Sequence, residues 1–359
     1  MVYKSLLRPL FFLLDPEFIH DFMVSFGEIL GRFSSSRTLI RSIYGYKGPN
    51  ISKTVNGLKY GTPFLVAAGF DYNGRLSRIL PHVSFGGEEV GSVTAKPYGG
   101  NPKPRMSRLR RSQSIIVNKG LKNEGVEAVI KRLKSLPVPV PEARPRGRSF
   151  IIGISIARTN CAESAGVEEG IADYIYSFRR LNEENVGDYY TINISCPNSF
   201  GGEAFTTPAL LERLLRALSA VKCSKPVYVK MPINLPWDKF HELLKIIDAH
   251  GLQGVVIGNL NKNYDYLDYR AEAPEAYAGG LSGKPCQSLS TELIRQTRKA
   301  YGSRFTIIGA GGVSSWEAAK EKFEAGADLI QLITGMIYEG PGLVKEMCGG
   351  YADHVEHGH

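Results

Sequence analysis

The strongest constraint on this chain is a rhythm. Eight short β-rich runs recur from about Gly57 onward: Phe64–Ala68, Glu88–Val93, Phe150–Ile156, Tyr189–Ile194, Val227–Lys230, Gly254–Ile257, Phe305–Ile308 and Leu329–Ile333. Helical patterns stand between them, among them Pro208–Val221, Trp237–His250, Thr291–Tyr301 and Trp316–Ala325. Strands alternating with helices imply a parallel sheet, because a parallel neighbour is reached through a crossover. Eight such units predict an α/β fold, a (β/α)8 TIM barrel, with its functional groups on the loops after the strands. The 359 residues suffice for one barrel and an appendage.

The appendage is predicted at the N-terminus, over residues 1–50, with the barrel over 51–348 and a disordered tail over 349–359. Asp15-Pro16-Glu17 reads as a helix start, with Asp as N-cap, Pro at the first helical position and Glu in the first turn. Phe18, Ile19, Phe22, Met23, Phe26, Ile29, Leu30 and Phe33 follow at helical spacing. Such a stripe either docks onto the main domain or faces a membrane. Ser34–Thr38 is expected to punctuate it, and Leu39–Tyr46 to form another short helix. Leu136–Arg148, with four prolines, reads as a surface excursion.

Composition narrows the partners. The apolar content of 43% promises a large core, yet no apolar run reaches the ~20 residues of a membrane span. The apolar start lacks a small-residue cleavage site, so it is expected to stay in the mature protein. Five scattered cysteines without C-x-x-C spacing argue against a disulfide framework or a metal site, and for a reducing compartment. The net charge is +9, and Lys96–Lys122 holds eight Lys/Arg and no acid. That run reads as a solvated surface or a patch for anionic lipid or substrate; without a nucleic-acid-binding motif, no nucleic acid is expected.

The chemistry gathers at strand ends. Asn193, Ser195, Cys196 and Asn198 follow the fourth run, placing a thiol between amides that suit a planar polar ring. Cys196 is the candidate base, because thiols lie close enough to neutrality to exchange a proton. Lys230 closes an apolar strand, where a cation asks for an anionic partner. Asn259, after the sixth run, could add a third amide. Ile307-Ile-Gly-Ala-Gly-Gly-Val-Ser314 ends the seventh run and Gln331-Leu-Ile-Thr-Gly335 the eighth. Turns also require glycine, but two such loops at these paired positions point to a phosphate site.

Together these residues resemble the dihydroorotate dehydrogenase family of FMN-dependent barrels, over nearly the whole chain. The layout looks like the quinone-reducing, membrane-associated class 2. The resemblance rests on Leu14-Asp-Pro-Glu-Phe-Ile-His20, Ala67-Ala-Gly-Phe-Asp71, Glu89-Val-Gly-Ser-Val-Thr94 and Gly100-Asn-Pro-Lys-Pro-Arg105. Asn193-Ile-Ser-Cys-Pro-Asn198, Gly279-Gly-Leu-Ser-Gly-Lys-Pro285 and Gly309-Ala-Gly-Gly312 complete it. It implies that Cys196 takes a proton from C5 of dihydroorotate while C6 delivers hydride to flavin N5. Asn193, Asn198, Ser199 and Asn259 would hold the ring. Ala67, Ala68, Gly69, Thr94, Lys230, Gly258, Gly283, Gly311, Gly312, Thr334 and Gly335 would hold FMN. His20 and Arg108 would line a quinone tunnel, on a protein peripheral to the inner face of the cell membrane or an organellar inner membrane.

Four positions depart from the family pattern. Cys196 stands where class 2 members usually carry serine. Tyr72 replaces a lysine at the flavin and substrate edge. Val117 takes the register of a substrate asparagine, with Asn118 one position later. Gly258 replaces a threonine before Asn259. Lys119 or Lys122 is a candidate to restore the missing cation. The departures leave open a related flavin oxidoreductase acting on another cyclic amide or enone. A non-catalytic flavin- or phosphate-binding membrane module is the remaining alternative.

Overall fold

The computed structural model describes residues 3–136, 150–200, 202 and 205–357. Eight parallel strands close into a barrel: β1 (Phe64–Val66), β2 (Gly87–Val93), β3 (Ile151–Ile156), β4 (Tyr189–Asn193), β5 (Val227–Met231), β6 (Gly254–Ile257), β7 (Thr306–Ala310) and β8 (Leu329–Leu332). Each pairs with its neighbours in sequence, and β8 returns to β1 through Leu332 and Val66. Each lies within one or two residues of a run read from the sequence. The strands are buried on both faces, which is why they read as continuous apolar runs.

The barrel interior changes character along its axis. At one end Leu65, Tyr189, Tyr228, Val256, Ile308 and Leu329 form an apolar plug with Tyr60. Tyr60 comes from a hairpin of Lys53–Val55 and Leu58–Tyr60. Beyond the plug the interior turns polar: Glu89 Oε2 accepts from Thr191 Oγ1 at 2.7 Å and from Gln331 Nε2 at 3.0 Å. A three-stranded antiparallel sheet of Met106–Leu109, Ser114–Val117 and Gly280–Gly283 packs against the loops after β4 and β8.

The N-terminal segment is helical. Asp15 caps the helix Pro16–Arg32 by accepting from Phe18 N at 2.8 Å, with Pro16 at the start. The expected serine break is displaced. The next helix is Ser34–Tyr44, and the chain turns at Phe33, whose backbone is extended. Ser36 Oγ reaches back to the Leu30 and Phe33 carbonyls, so the serine run supports the turn from inside the helix.

The expected disordered tail is also corrected: Leu343–Glu356 is one helix, because Leu343, Val344, Met347, Cys348 and Ala352 form a buried face. The excursion Leu136–Arg148 lies, apart from Leu136, outside the described residues.

Candidate active site

Register brings the strand-end chemistry together. Asn193, the last residue of β4, is the Cα partner of Lys230 on β5. Asn193 is buried; its Nδ2 donates to Ser92 Oγ at 2.8 Å, and its Oδ1 accepts from Ser195 N at 3.3 Å. Asn259 reaches over from β6, where its Nδ2 donates to Ser195 Oγ at 2.7 Å and Ser195 O at 2.8 Å. Ser195 Oγ in turn donates to the Lys230 carbonyl at 2.9 Å. Three consecutive strand ends are thus tied through one buried hydroxyl, a residue the sequence pattern left without a role.

Cys196, the next residue, is only half-buried and borders a small cavity with Asn193, Arg158 and Tyr174. Lys230 is almost fully buried. Burial lowers its pKa, against the raising influence of Glu89 and Cys196. The thiol and the ammonium therefore sense one another at the mouth of the barrel.

A second amide cluster flanks the first. Asn198 Nδ2 donates to the Val117 carbonyl at 2.7 Å. Asn101 Nδ2 donates to Asn118 Oδ1 and to Asn198 O, both at 2.9 Å, while its Oδ1 accepts from Asn160 Nδ2 at 2.9 Å. Asn118, offset by one residue in sequence, still reaches the cluster through its side chain. Asn101, within the Gly100–Arg105 motif, and Asn160 have no role assigned from sequence, because local pattern does not tell which asparagine meets another across distant loops. Ser199 Oγ braces its own loop, donating to Cys196 O at 3.1 Å and Gly202 O at 2.9 Å.

The glycines predicted for a phosphate also converge. A Cβ on Gly283 would stand 2.8 Å from Thr334 Cγ2, and one on Gly335 only 2.0 Å from the Val313 carbonyl. Gly311 and Gly312 have positive φ of 93° and 78°, a backbone that disfavours a side chain. Thr334 and Gly335 open the helix Thr334–Glu339, and Thr334 Oγ1 donates to Ser282 Oγ at 2.8 Å. Chain segments after β7 and β8 and from the three-stranded sheet therefore approach closely around one cradle. Gly258, at φ 139°, has no room for a Cβ against Ala310. Ala67, Ala68 and Gly69 follow β1 and are tied to β8 and β2 through Ala67 N to Leu332 O and Gly69 N to Gly91 O. Thr94 is buried and accepts from Asn123 Nδ2 at 2.8 Å.

The basic run is not simply a surface. Arg105 and Lys119 are buried, and Arg105 clamps Glu17 of the N-terminal helix with bonds of 2.6 and 2.8 Å. Lys119 Nζ lies 3.8 Å from Glu17 and 4.8 Å from the centroid of the Tyr72 ring. Lys122 also binds Glu17, at 3.2 Å, and Asp21, at 3.1 Å. Of the two candidates to restore the missing cation, Lys119 thus stands over Tyr72 as well as against Glu17, while Lys122 engages the N-terminal helix. Burial would raise the Glu17 carboxyl, but the Arg105 hydrogen bonds and the Lys119 charge bring it to about 2.

His20 packs against Phe70 and Tyr72, each with ring centroids 5.3 Å apart. Burial, reinforced by Lys119, holds its imidazole well below the usual range. Arg108 donates to the carbonyls of Leu14 at 2.8 Å and Phe11 at 3.1 Å, and covers the Phe12 ring.

Comparison with known proteins places this arrangement. A family model for dihydroorotate dehydrogenase matches residues 50–354. The chain belongs to the dihydroorotate dehydrogenase family. It is 35% identical to the dihydroorotate dehydrogenase (quinone) of Christiangramia forsetii, over 96% of this chain and 97% of that one. It is 36% identical to the enzyme of the same name from Salinispora arenicola, over 96% and 97%. Two crystal structures of the Eimeria tenella family member share the fold. The ferulenol complex has a TM-score of 0.82 at 24% identity, covering 96% of this chain and 92% of that one. The ligand-free form has a TM-score of 0.81 at 25% identity, covering 96% of each. The family's architecture is thus retained in a member that carries Tyr72, Val117, Cys196 and Gly258 at its mouth.

Proposed function

We propose that this chain oxidises dihydroorotate to orotate, a step of pyrimidine biosynthesis, with FMN as cofactor and a quinone as final acceptor. The observation that carries this reading is the alignment of Asn193, Cys196 and Lys230 at one barrel mouth that also carries the glycine cradle. FMN, when bound, supplies the ring that accepts hydride from C6 of the substrate and passes two electrons on.

The residues fit that group. Gly283, Gly312 and Gly335 let backbone segments approach closely around Thr334, the kind of backbone cluster that offers N–H groups to a phosphate, and the buried Lys230 would bring positive charge beside a ring that becomes anionic on reduction. The amides of Asn193, Asn198 and Asn259 suit the amide and imide edges of dihydroorotate. Cys196 acts as base and removes the C5 proton. An interlocked amide set, with Asn193 buried and Asn198 and Asn259 half-buried, restricts motion of the ring, so proton removal occurs from a fixed geometry.

The acceptor side rests on the N-terminal helices. Leu10, Leu13, Phe18, Phe22, Phe26 and Ile29 are exposed there, in a region rich in such residues. No helix among the described residues is long and apolar enough to cross a membrane. An apolar face of this kind suits a peripheral position on the inner face of the membrane, with quinone entering past His20 and Arg108.

Anaerobic mixing with dihydroorotate tests the reading: the flavin absorbance should bleach and return on addition of a short-chain ubiquinone. Failure to bleach, when dithionite does bleach it, transfers the site to another cyclic amide or enone. A protein that takes up no FMN removes the redox reading altogether.

A further inference from the structure

Lys322 is a lysine in a place that disfavours a cation. It lies on the helix Trp316–Glu324 and is fully buried, at 0% exposure. Its Nζ donates to Ser290 Oγ at 2.5 Å, to Thr291 Oγ1 at 3.0 Å and to the Gln287 carbonyl at 3.4 Å. All three partners are neutral. They lie within the first five residues of the helix Gln287–Tyr301, whose first turn contains no acidic residue. The amino end of a helix already carries partial positive charge, so this site works against an ammonium. Glu321, next in the chain, accepts from Gln287 Nε2 at 2.9 Å, and no salt bridge of Lys322 occurs among the described residues. The neighbouring Cys286 thiol is pushed up to about 12 by burial and remains neutral.

Burial lowers Lys322 to about 7, against the raising influence of Cys286 and Glu321, so its charged form is weakly held and a nearby anion would favour it. The structure offers one direction for that anion. The same helix start carries the Gly311–Gly312 turn. A Cβ on Gly311 would stand 2.9 Å from Cys286 Cβ and 3.3 Å from Ser290 Oγ; one on Gly312 would stand 2.3 Å from Gln287 Cβ. Lys322 therefore sits directly behind the cradle, one hydroxyl away from its backbone.

We propose that Lys322 is a positioning residue for the cofactor phosphate, acting through Ser290 and the Gly311–Gly312 turn without touching the phosphate. Its charge attracts the dianion across a dry interior, and its hydrogen bonds hold the helix start on which the turn rests. This rests on the FMN reading above.

Riboflavin, which has the same ring without the phosphate, separates the two effects. Kd values of FMN and riboflavin are measured on apo-protein by flavin fluorescence for wild type and Lys322→Met, with circular dichroism as the check on folding. Lys322→Met is expected to weaken FMN by about tenfold or more and riboflavin by less than about twofold. Equal weakening of both ligands, or of neither, overturns the proposal. Ser290→Ala serves if the methionine variant fails to fold: it should weaken FMN selectively, and no selective effect is equally fatal. Wild-type apo-protein that binds neither flavin points instead to failure of the cofactor reading.

Discussion

Glu17 Oε1 and Lys119 Nζ lie 3.8 Å apart, both almost fully buried, across the seam between the N-terminal helix and the barrel. Arg105 and Lys122 share the same carboxylate. One acid thus answers three cations, and the apolar N-terminal helices are held to the barrel partly by buried charge.

Removing that acid is expected to loosen the seam. Glu17→Gln leaves Arg105 and Lys119 buried without their anion, which costs about 3–5 kcal/mol for a buried pair broken on one side. Hydrogen exchange should rise across residues 16–32, while the barrel strands stay protected. Unchanged exchange in that helix would show that apolar packing alone holds it.

The same pair predicts a pH dependence. Glu17 titrates near 2 when folded, below its ordinary 4.5. Its contribution is present above 4.5 and is lost as pH falls through 2. Burial lowers Lys119 from 10.5 to about 8 despite the Glu17 charge, so its burial penalty is fully present below 8 and fades as pH rises to 10.5. Denaturant midpoints across both windows should show these slopes. Glu17→Gln should flatten the acid one, and Lys119→Met the alkaline one.

Cys196 and Ser195 are neighbours with different work. Cys196→Ala should slow dihydroorotate-driven flavin reduction by about 10²–10⁴-fold, the usual worth of a positioned base, with orotate binding retained. Ser195→Ala should cost about 1 kcal/mol in stability, weaken orotate binding through a released Asn259, and spare proton abstraction in saturated enzyme. Stopped-flow reduction at saturating substrate distinguishes the two. Comparable rates in wild type and Cys196→Ala would remove the thiol from its role.

The exposed apolar face has its own test. Phe22 and Phe26 stack with ring centroids 6.1 Å apart and are about half exposed to solvent. Replacing both by serine should lower co-sedimentation with anionic phospholipid vesicles several-fold and leave the reductive half-reaction intact. Vesicle binding equal to wild type would move the contact elsewhere.

Much of the barrel was legible because its signal is local. Each strand declares itself by a few consecutive apolar, β-branched residues, and each helix by its 3.6-residue period. Boundaries slipped where packing decided them, as at Ser34, drawn into a helix by the turn at Phe33, and at Leu343–Glu356, ordered by its buried face. The strand-end motif Asn193–Asn198 was equally visible, since its polar cluster interrupts an apolar run.

What the amino-acid order determined by itself was therefore the alternation, the barrel it implies and the chemistry hung on its strand ends. Tertiary structure alone decided that Arg105 meets Glu17 across 88 residues, that Asn118 joins Asn101, and that Lys322 stands behind the glycine turn. Periodicity reports which face of one element is buried. The partner of a buried charge or amide depends on how distant elements close in space, and no local pattern encodes that.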